Sequence, residues 1–464
     1  MPANSTHDQY NHHSPDWTLI RDFAGGERAV KAKGERYLPK LSDQDHAEYR
    51  NYLFRSPFLN ATARTVAGLV GVVFRRPPKV DLGSNERLRP FLESITQDDA
   101  PFDALARNVV AEVIQMGRYG LLVDMPQAGG RPYVAEYKAE QISNWRERHI
   151  NGRRRVSQVV LTEHDEQDAD DGFGSVYSDR WRELRLTTTG YQQVLHQPVS
   201  DQRTRATSWL ASNPITPVNR GEALADIPFV FIGPAGLTAA VQRSPVLDIV
   251  NLSQHHYLAA ADLAHGRHYA AMPTPWVSGF NGGEDAEFTI GPNRVWMIPA
   301  DGSAGLLEFN GAGLTFLENA TSDYQVQMAM LGARLLSNQR KAASESSDIV
   351  QLRERGEHAT LWGIVDSCER ALTRVLQHWV AWQDGDPSEV KVHLNKDFVD
   401  MPMAYRDTLM LMRLYQSGIL PLDATIEALY EGDILPSTMK PEDVKELLAQ
   451  GGQMYSPAAS NSVH

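Results

Sequence analysis

Leu361, Val365, Cys368, Leu372, Val375 and Trp379 recur at alternating steps of four and three residues. That spacing lines all six along one side of an α-helix. The helix it predicts covers Ile349–Trp382 and is about 50 Å long at the usual rise per residue. A rod of that length must have much of the rest of the chain folded against it. The chain has 464 residues, 42% hydrophobic and 22% charged, enough for several domains and ordinary for a globular protein.

Other segments fall into place around this helix. Residues 1–45 are polar, with Gly25-Gly26, and read as a mostly extended arm with a short helix at most. Leu59, Thr62, Val66, Leu69, Val70 and Val73 predict a helix that ends before Pro77-Pro78. Phe102–Met116 carries a second stripe, with Asp98 and Asp99 suited to its start and Gly117 to its end. A β-rich stretch follows. Tyr119–Asp124 is a short apolar run, and Ile142–Ile150 and Arg153–Glu163 flank the hairpin dipeptide Asn151-Gly152. Glu163–Asp171 holds six acidic residues in nine and reads as a solvated loop. Strands are expected again at Arg180–Thr188, Tyr191–Gln197 and Ile227–Ile232, with Asp201–Gly221 a long loop.

The second half returns to helices. Ser244-Pro245 is expected to open one running to about Ala264, with Ser244 as its N-cap. Short strands among Pro and Gly are expected over Pro273–Asn310, then a helix from Gly313 to about Leu336. Asn338–Asp348 is polar and Ser-rich. Helices near Met403–Ser417, Asp423–Glu431 and Pro441–Gln450 complete the pattern.

Signatures of chemistry are sparse. The chain lacks a phosphate-cradling G-x-x-x-x-G-K-[ST] loop, a G-x-G-x-x-G turn, H-E-x-x-H and G-x-S-x-G. Its one cysteine, Cys368, rules out an intrachain disulfide and any site needing two cysteines. That cysteine lies on the apolar stripe and reads as a small core hydrophobe. His255, His256, His265 and His268 lack a carboxylate at ligand spacing and read as polar or capping residues. Trp276, Trp296, Trp362 and Trp379 are expected in a core or an interface. The longest uncharged runs, Ile227–Gln242 and His268–Gly283, contain Pro and Gly, so neither reads as a membrane span. Met1-Pro-Ala-Asn-Ser-Thr-His-Asp lacks the layout of a signal peptide.

Net charge is −13, which argues against sequence-independent gripping of nucleic acid, since phosphate affinity comes from clustered cations. Two clusters stand out. Arg146, Arg148, Arg153, Arg154 and Arg155 crowd the Asn151-Gly152 hairpin. They fit a solvated or subunit-facing hairpin better than a phosphate contact, and the acidic stretch of a neighbouring chain is one conceivable partner. Arg334, Arg340, Lys341, Arg353 and Arg355 bracket the Ser-rich linker between two helices.

The order of elements resembles the portal proteins of tailed bacteriophages. Phrases along the chain are similar to one portal subfamily: Phe58-Leu59-Asn60-Ala61-Thr62-Ala63-Arg64-Thr65-Val66 through Phe74-Arg75-Arg76-Pro77-Pro78, Gly120-Leu121-Leu122-Val123-Asp124, Leu184-Arg185-Leu186 with Gly190-Tyr191, and Leu331-Gly332-Ala333-Arg334-Leu335-Leu336. The likeness spans about residues 35 to 450. It implies an α+β multidomain fold: N-terminal arm 1–34, α/β wing 35–243, stem helices 244–265 and 313–337 around a small β clip 266–312, tunnel loop 338–348, long wing helix and following strand 349–399, crown 400–450 and a disordered tail 451–464. It further implies a ring, usually of twelve copies, at one capsid vertex, for DNA packaging, ejection and head–tail joining. No cofactor, metal or catalytic activity of its own goes with it. Implied partners are further copies of the chain, a terminase motor at the clip, capsid or scaffold proteins, a head–tail adaptor and duplex DNA in the channel. No membrane is implied. The implied location is the virion, after assembly in the host cytoplasm. Arg334, Arg340, Lys341, Arg353 and Arg355 become the implied channel cations. One departure is that Ser344-Glu345-Ser346-Ser347 gives the tunnel loop little bulk.

Two alternatives stay open at the level of sequence. One is a soluble hydrolase or transferase with a site among the acidic residues. The other is a capsid scaffold or adaptor that forms no channel. Solution mass separates a ring from a monomer.

Overall fold

The computed structural model describes residues 3–126, 129–150, 152–168, 173–200, 207–271, 274–279, 301–307, 312–333, 347–396, 398, 405–431, 434–435 and 441–451. The fold is α+β, and the chain divides into two compact units, 1–396 and 397–464.

The first unit begins with helices α1 (Asp8–Ala24), α2 (Glu27–Ala32), α3 (His46–Arg55) and α4 (Ala61–Val73). The expected extended arm is therefore a helix of 17 residues. His7 Nδ1 accepts from Gln9 N–H at its start, and Trp17, Ile20 and Phe23 are buried along one side. Trp17 Nε1 donates to Met116 O at 3.2 Å, and Arg21 bonds both Glu112 and Glu140. Only these few residues of a polar segment carry the apolar stripe, and Pro15 lies inside it.

After β1 (Lys79–Asp81) comes α5 (Phe102–Met116), with the bounds expected. Pro101 rather than Asp98 or Asp99 is its N-cap, and Asp103 is the acid of its first turn. Gly117 closes it at φ 72°. A Cβ there would lie 2.8 Å from Gln242 O, so both conformation and space require glycine.

The strands form two main sheets. In one, β2 (Tyr119–Asp124) lies between β3 (Tyr133–Lys138) and β11 (Phe229–Ile232). The other is an antiparallel meander of β4 (Ile142–Ile150), β5 (Arg153–Asp168), β6 (Ser175–Thr187), β7 (Gly190–Ser200) and β8 (Thr207–Ala211). Two-residue strands β9 (Val218–Asn219) and β10 (Glu222–Ala223) pair nearby. Leu122, Trp145, Val159, Leu184, Tyr191 and Phe229 belong to one buried cluster that joins the two sheets. Gly120 lets the Phe229 ring cross β2, because a Cβ would sit 2.3 Å from Phe229 Cζ.

Two loop expectations are corrected here. The acidic stretch continues β5 as far as Asp168, paired with β6 down to Ser175. The strand is possible because Glu163 accepts from Arg180 Nε at 2.9 Å and Arg182 Nε at 2.6 Å, so its charge is neutralised across the ladder. The expected loop Asp201–Gly221 contains β8 and β9, and the Trp181–Trp209 edge contact holds β8 against the sheet.

Next come α6 (Leu247–Ala270), the paired strands β12 (Thr274–Ser278) and β13 (Ser303–Leu307), α7 (Ala312–Met328) with a π-helical turn at Ala329–Ala333, and α8 (Ser347–Ala381). α6 starts two residues later than expected, with Val246 as its N-cap. Ser244 instead donates its hydroxyl to Gln115 O and accepts from Val246 N–H. α6 also continues past Ala264 to Ala270. The stripe from Leu361 to Trp379 is buried. Trp379 Nε1 donates to Pro132 O at 2.8 Å, and Ser367 Oγ to Gly233 O at 2.7 Å. α5 and α8 pack on the sheet of β2, β3 and β11 opposite the meander. Finally β14 (Lys391–His393) pairs with β1, tying the end of this unit to its beginning.

The second unit contains α9 (Tyr405–Gln416), α10 (Leu422–Glu431) and α11 (Pro441–Gly451), close to the three helices expected.

Candidate functional site

α6 and α7 form an antiparallel pair. Ser253 Oγ lies 3.2 Å from Met328 Sδ, His256 Nε2 lies 3.1 Å from Gln325 Nε2, and Arg267 pairs with Glu318 at 2.6 Å. Residue numbers rise on one helix as they fall on the other, and the antiparallel strands β12 and β13 lie between them in the chain. At the far end the backbones close up. A Cβ on Gly332 would stand 2.6 Å from Thr65 Oγ1 and 2.9 Å from Ile249 Cδ1. The π-helical turn and Gly332 together let α7 approach α4 and α6.

The outer side of this pair leaves large apolar residues uncovered among polar ones. Phe316 is 77% exposed and Val326 55%, with Met330 and Leu331 also exposed. Phe316 and Val326 fall on one side of α7 at about 100° per residue, with the exposed Asn319 and Asp323 between them, and Met330 follows in the π-helical turn. Trp276 and Leu306 on the β hairpin are likewise exposed. Isolated exposed apolar residues need no explanation, but several on one element mark a contact surface.

The channel cations singled out from the sequence are not brought together by what is described. Arg334, Arg340 and Lys341, with most of the Ser-rich segment 338–348, lie outside the described residues. Arg353 and Arg355 are on the first half of α8, whose side chains are not described, and Ser347 and Asp348 already belong to that helix. Of the four tryptophans, Trp379 is core, Trp276 and Trp362 are about half exposed, and Trp296 lies outside the described residues. Lys396 stands 4.9 Å over the Trp362 ring.

Burial and hydrogen bonding occupy the other chemically capable groups. Cys368 is fully buried, which pushes its thiol pKa far up. His256 is held below its ordinary value by burial. His255 stacks on Tyr324 and His265 meets Tyr52 edge-on. Among the described residues no group of three or more His, Cys, Asp or Glu is placed to hold a metal ion.

Sequence reasoning missed a charged network between the two sheets. Arg182 Nη1 donates to Asp124 at 3.0 Å while its Nε donates to Glu163. Tyr137 OH donates to Glu163 at 2.7 Å, and Gln193 Nε2 to Asp124 at 2.9 Å. Burial raises Asp124 above the usual carboxylate range despite Arg182. Burial would also raise Glu163, but Arg182, Tyr137 and Arg180 outweigh it and hold that carboxyl low. Every member is paired, so the network joins two sheets and has no open position for a reactant. The only signal for it in the sequence was Asp124 closing an otherwise apolar strand.

A family model described as "Domain of unknown function (DUF4055)" matches residues 245–383, from just before α6 to just past α8. No curated protein matches the chain. Among solved structures it is similar to one described as the neck of a native GTA particle computed with C12 symmetry, at 12% identity and TM-score 0.41, over 81% of this chain and 92% of that one. It is also similar to the virion of a native gene transfer agent particle, at 11% identity and TM-score 0.40, over 86% of this chain and 98% of that one. No helix of the described residues is long and apolar enough to cross a membrane.

Proposed function

We propose that this chain is a portal-type subunit of a phage-like particle. In that reading it forms a closed ring at one capsid vertex, through which duplex DNA is packaged and later leaves. The observation that carries the reading is the succession α6, β hairpin, α7, α8. An antiparallel helix pair with a small β tip precedes a helix of 35 residues whose second half is core, and the pair leaves Phe316 and Val326 uncovered.

The physics fits a ring. A single copy cannot cover Phe316 and Val326 with its own described residues, whereas a neighbouring copy can. Head-to-tail contacts of one kind close into a ring when the rotation between copies divides a full turn. An acidic chain suits a channel that DNA must slide through, since duplex DNA carries about one charge per 1.7 Å and a heavily cationic wall would hold it. The β tip is then the contact for a packaging motor. The segment 338–348, with Arg340 and Lys341, is the part nearest DNA, flanked by Arg334, Arg353 and Arg355. Residues 400–450 are the crown, and the protein resides in the virion.

The test is direct imaging of purified protein at low resolution, with a parallel phosphate-release assay. Rings with a central opening and no ATP turnover of their own are expected. Particles without rotational symmetry, or ATP turnover that survives stringent purification, would overturn the proposal.

A further inference from the structure

Along the outer edge of β4 a cleft of about 520 Å³ opens, with His7, Asn144, Trp145, Arg146, Arg148 and Arg154 among its walls. The walls are fixed in place. His7 N–H donates to Ser143 O at 2.9 Å, and Asn144 Nδ2 donates to Ser5 O at 2.9 Å. The His7 ring stacks on the Trp145 indole with centroids 3.9 Å apart and planes 14° from parallel. Three walls are guanidiniums. Arg154 pairs with Glu147 at 2.7 Å, the carboxylate among the lining residues. The side chains of Arg146 and Arg148 are exposed and make no ion pair or hydrogen bond with the described residues.

A further cation lies behind Trp145. Arg118 is 2% exposed, with its guanidinium carbon 4.1 Å from the Trp145 ring centroid and 4.9 Å from that of Phe231. Its Nη1 donates to Ala239 O at 2.8 Å, while Nε and Nη2 have no partner among the described residues. Burial lowers its pKa to about 9, so it stays charged at neutral pH. That charge reaches the cleft: His7 is held below its ordinary value by burial and, in part, by Arg118. A buried cation faced by two aromatic rings and no carboxylate leaves a positive field uncancelled.

We propose that this cleft is an oxyanion site, in which Arg146 and Arg148 bind a phosphate or carboxylate group above the His7–Trp145 stack. The guanidinium fork matches both anions bidentately. The volume admits a pyrophosphate or an acidic side chain. One chemistry thus has two sources, free phosphate compounds or an acidic segment such as Glu163–Asp171 of another copy.

Calorimetric titration of the full chain at about 0.15 M salt tests this with two probes: inorganic pyrophosphate, and a peptide of the sequence Glu163–Asp171. At least one should bind with a Kd of about 1 mM or tighter, and the tighter probe identifies the source. The Arg146→Gln/Arg148→Gln double variant should weaken that binding at least about tenfold with an unchanged melting curve. Arg153→Gln, on the same hairpin but not lining the cleft, should bind as the parent does. Failure of both probes, undiminished binding by the double variant, or an equal loss in Arg153→Gln would each overturn the site.

Discussion

α7 and the second half of α8 teach different lessons from similar material. Both are amphipathic helices of the first unit. From Leu361 to Val380 the apolar residues of α8 are almost wholly buried, against α5 and the three-stranded sheet. On α7 only one side is covered, by α6, while Phe316, Val326 and Met330 face outward. The first pattern is solved within the chain. The second asks for a partner from outside it, and hydrophobic burial is the same force in both cases. Stability should therefore reside in α8 and assembly in α7.

The comparison can be broken most forcefully at Trp379. Trp379→Ala should cost about 3–5 kcal/mol from the cavity alone and also leaves Pro132 O without its donor. Chemical denaturation reads the loss, and a change below about 1 kcal/mol would place the core elsewhere. Arg182→Leu should come next, at about 3–5 kcal/mol, because it leaves the buried Asp124 without a cation and removes one of the two that Glu163 has. Replacing Asp124, Glu163 and Arg182 together by apolar residues should recover much of that loss.

A smaller effect is expected from acid. On α8, burial and then Arg374 push His378 down to about 4 from an ordinary value near 6.5. The unfolded chain thus takes up a proton that the folded chain refuses. The stability this group contributes is present above about pH 6.5 and is lost as pH falls toward 4, by roughly 2–3 kcal/mol in all. His378→Leu should flatten that limb of the stability curve, and an unchanged limb would remove the residue from the account.

The smallest change in stability, and the sharpest contrast, belongs to α7. Phe316→Asp with Val326→Asp should shift unfolding by about 0.5 kcal/mol or less, as surface changes do. It should nevertheless reduce the mass in solution to that of a monomer. Intact assembly in this variant would mean that the uncovered side of α7 is not the contact.

Much of this was legible from spacing. The stripes from Leu59 to Val73, Phe102 to Ile114 and Leu361 to Trp379 repeat long enough to identify helices. Asn151-Gly152 placed the β4–β5 hairpin because few dipeptides tolerate that turn. Local chemistry misled where tertiary contacts won. α1 hides its three anchors, Trp17, Ile20 and Phe23, among polar residues. The acidic end of β5 looked self-repelling, but Glu163 at its start faces Arg180 and is also held by Arg182. Ser244 resembled a cap but serves Gln115 O. Arg118 gave no local sign, and the Asp124–Arg182–Glu163 network gave only Asp124 at the end of an apolar strand, since a buried charge depends on partners distant in the chain. The proposed DNA-facing cations fall on residues 334–355, so the sequence remains their sole support.

The claim that joins these regions is that copies of the chain complete one another. Light scattering coupled to size exclusion on the purified full chain measures this directly. The account predicts a single species many times the 51.7 kDa of one copy, at micromolar concentration and across several salt conditions. A population that stays monomeric or dimeric under all of them would contradict it.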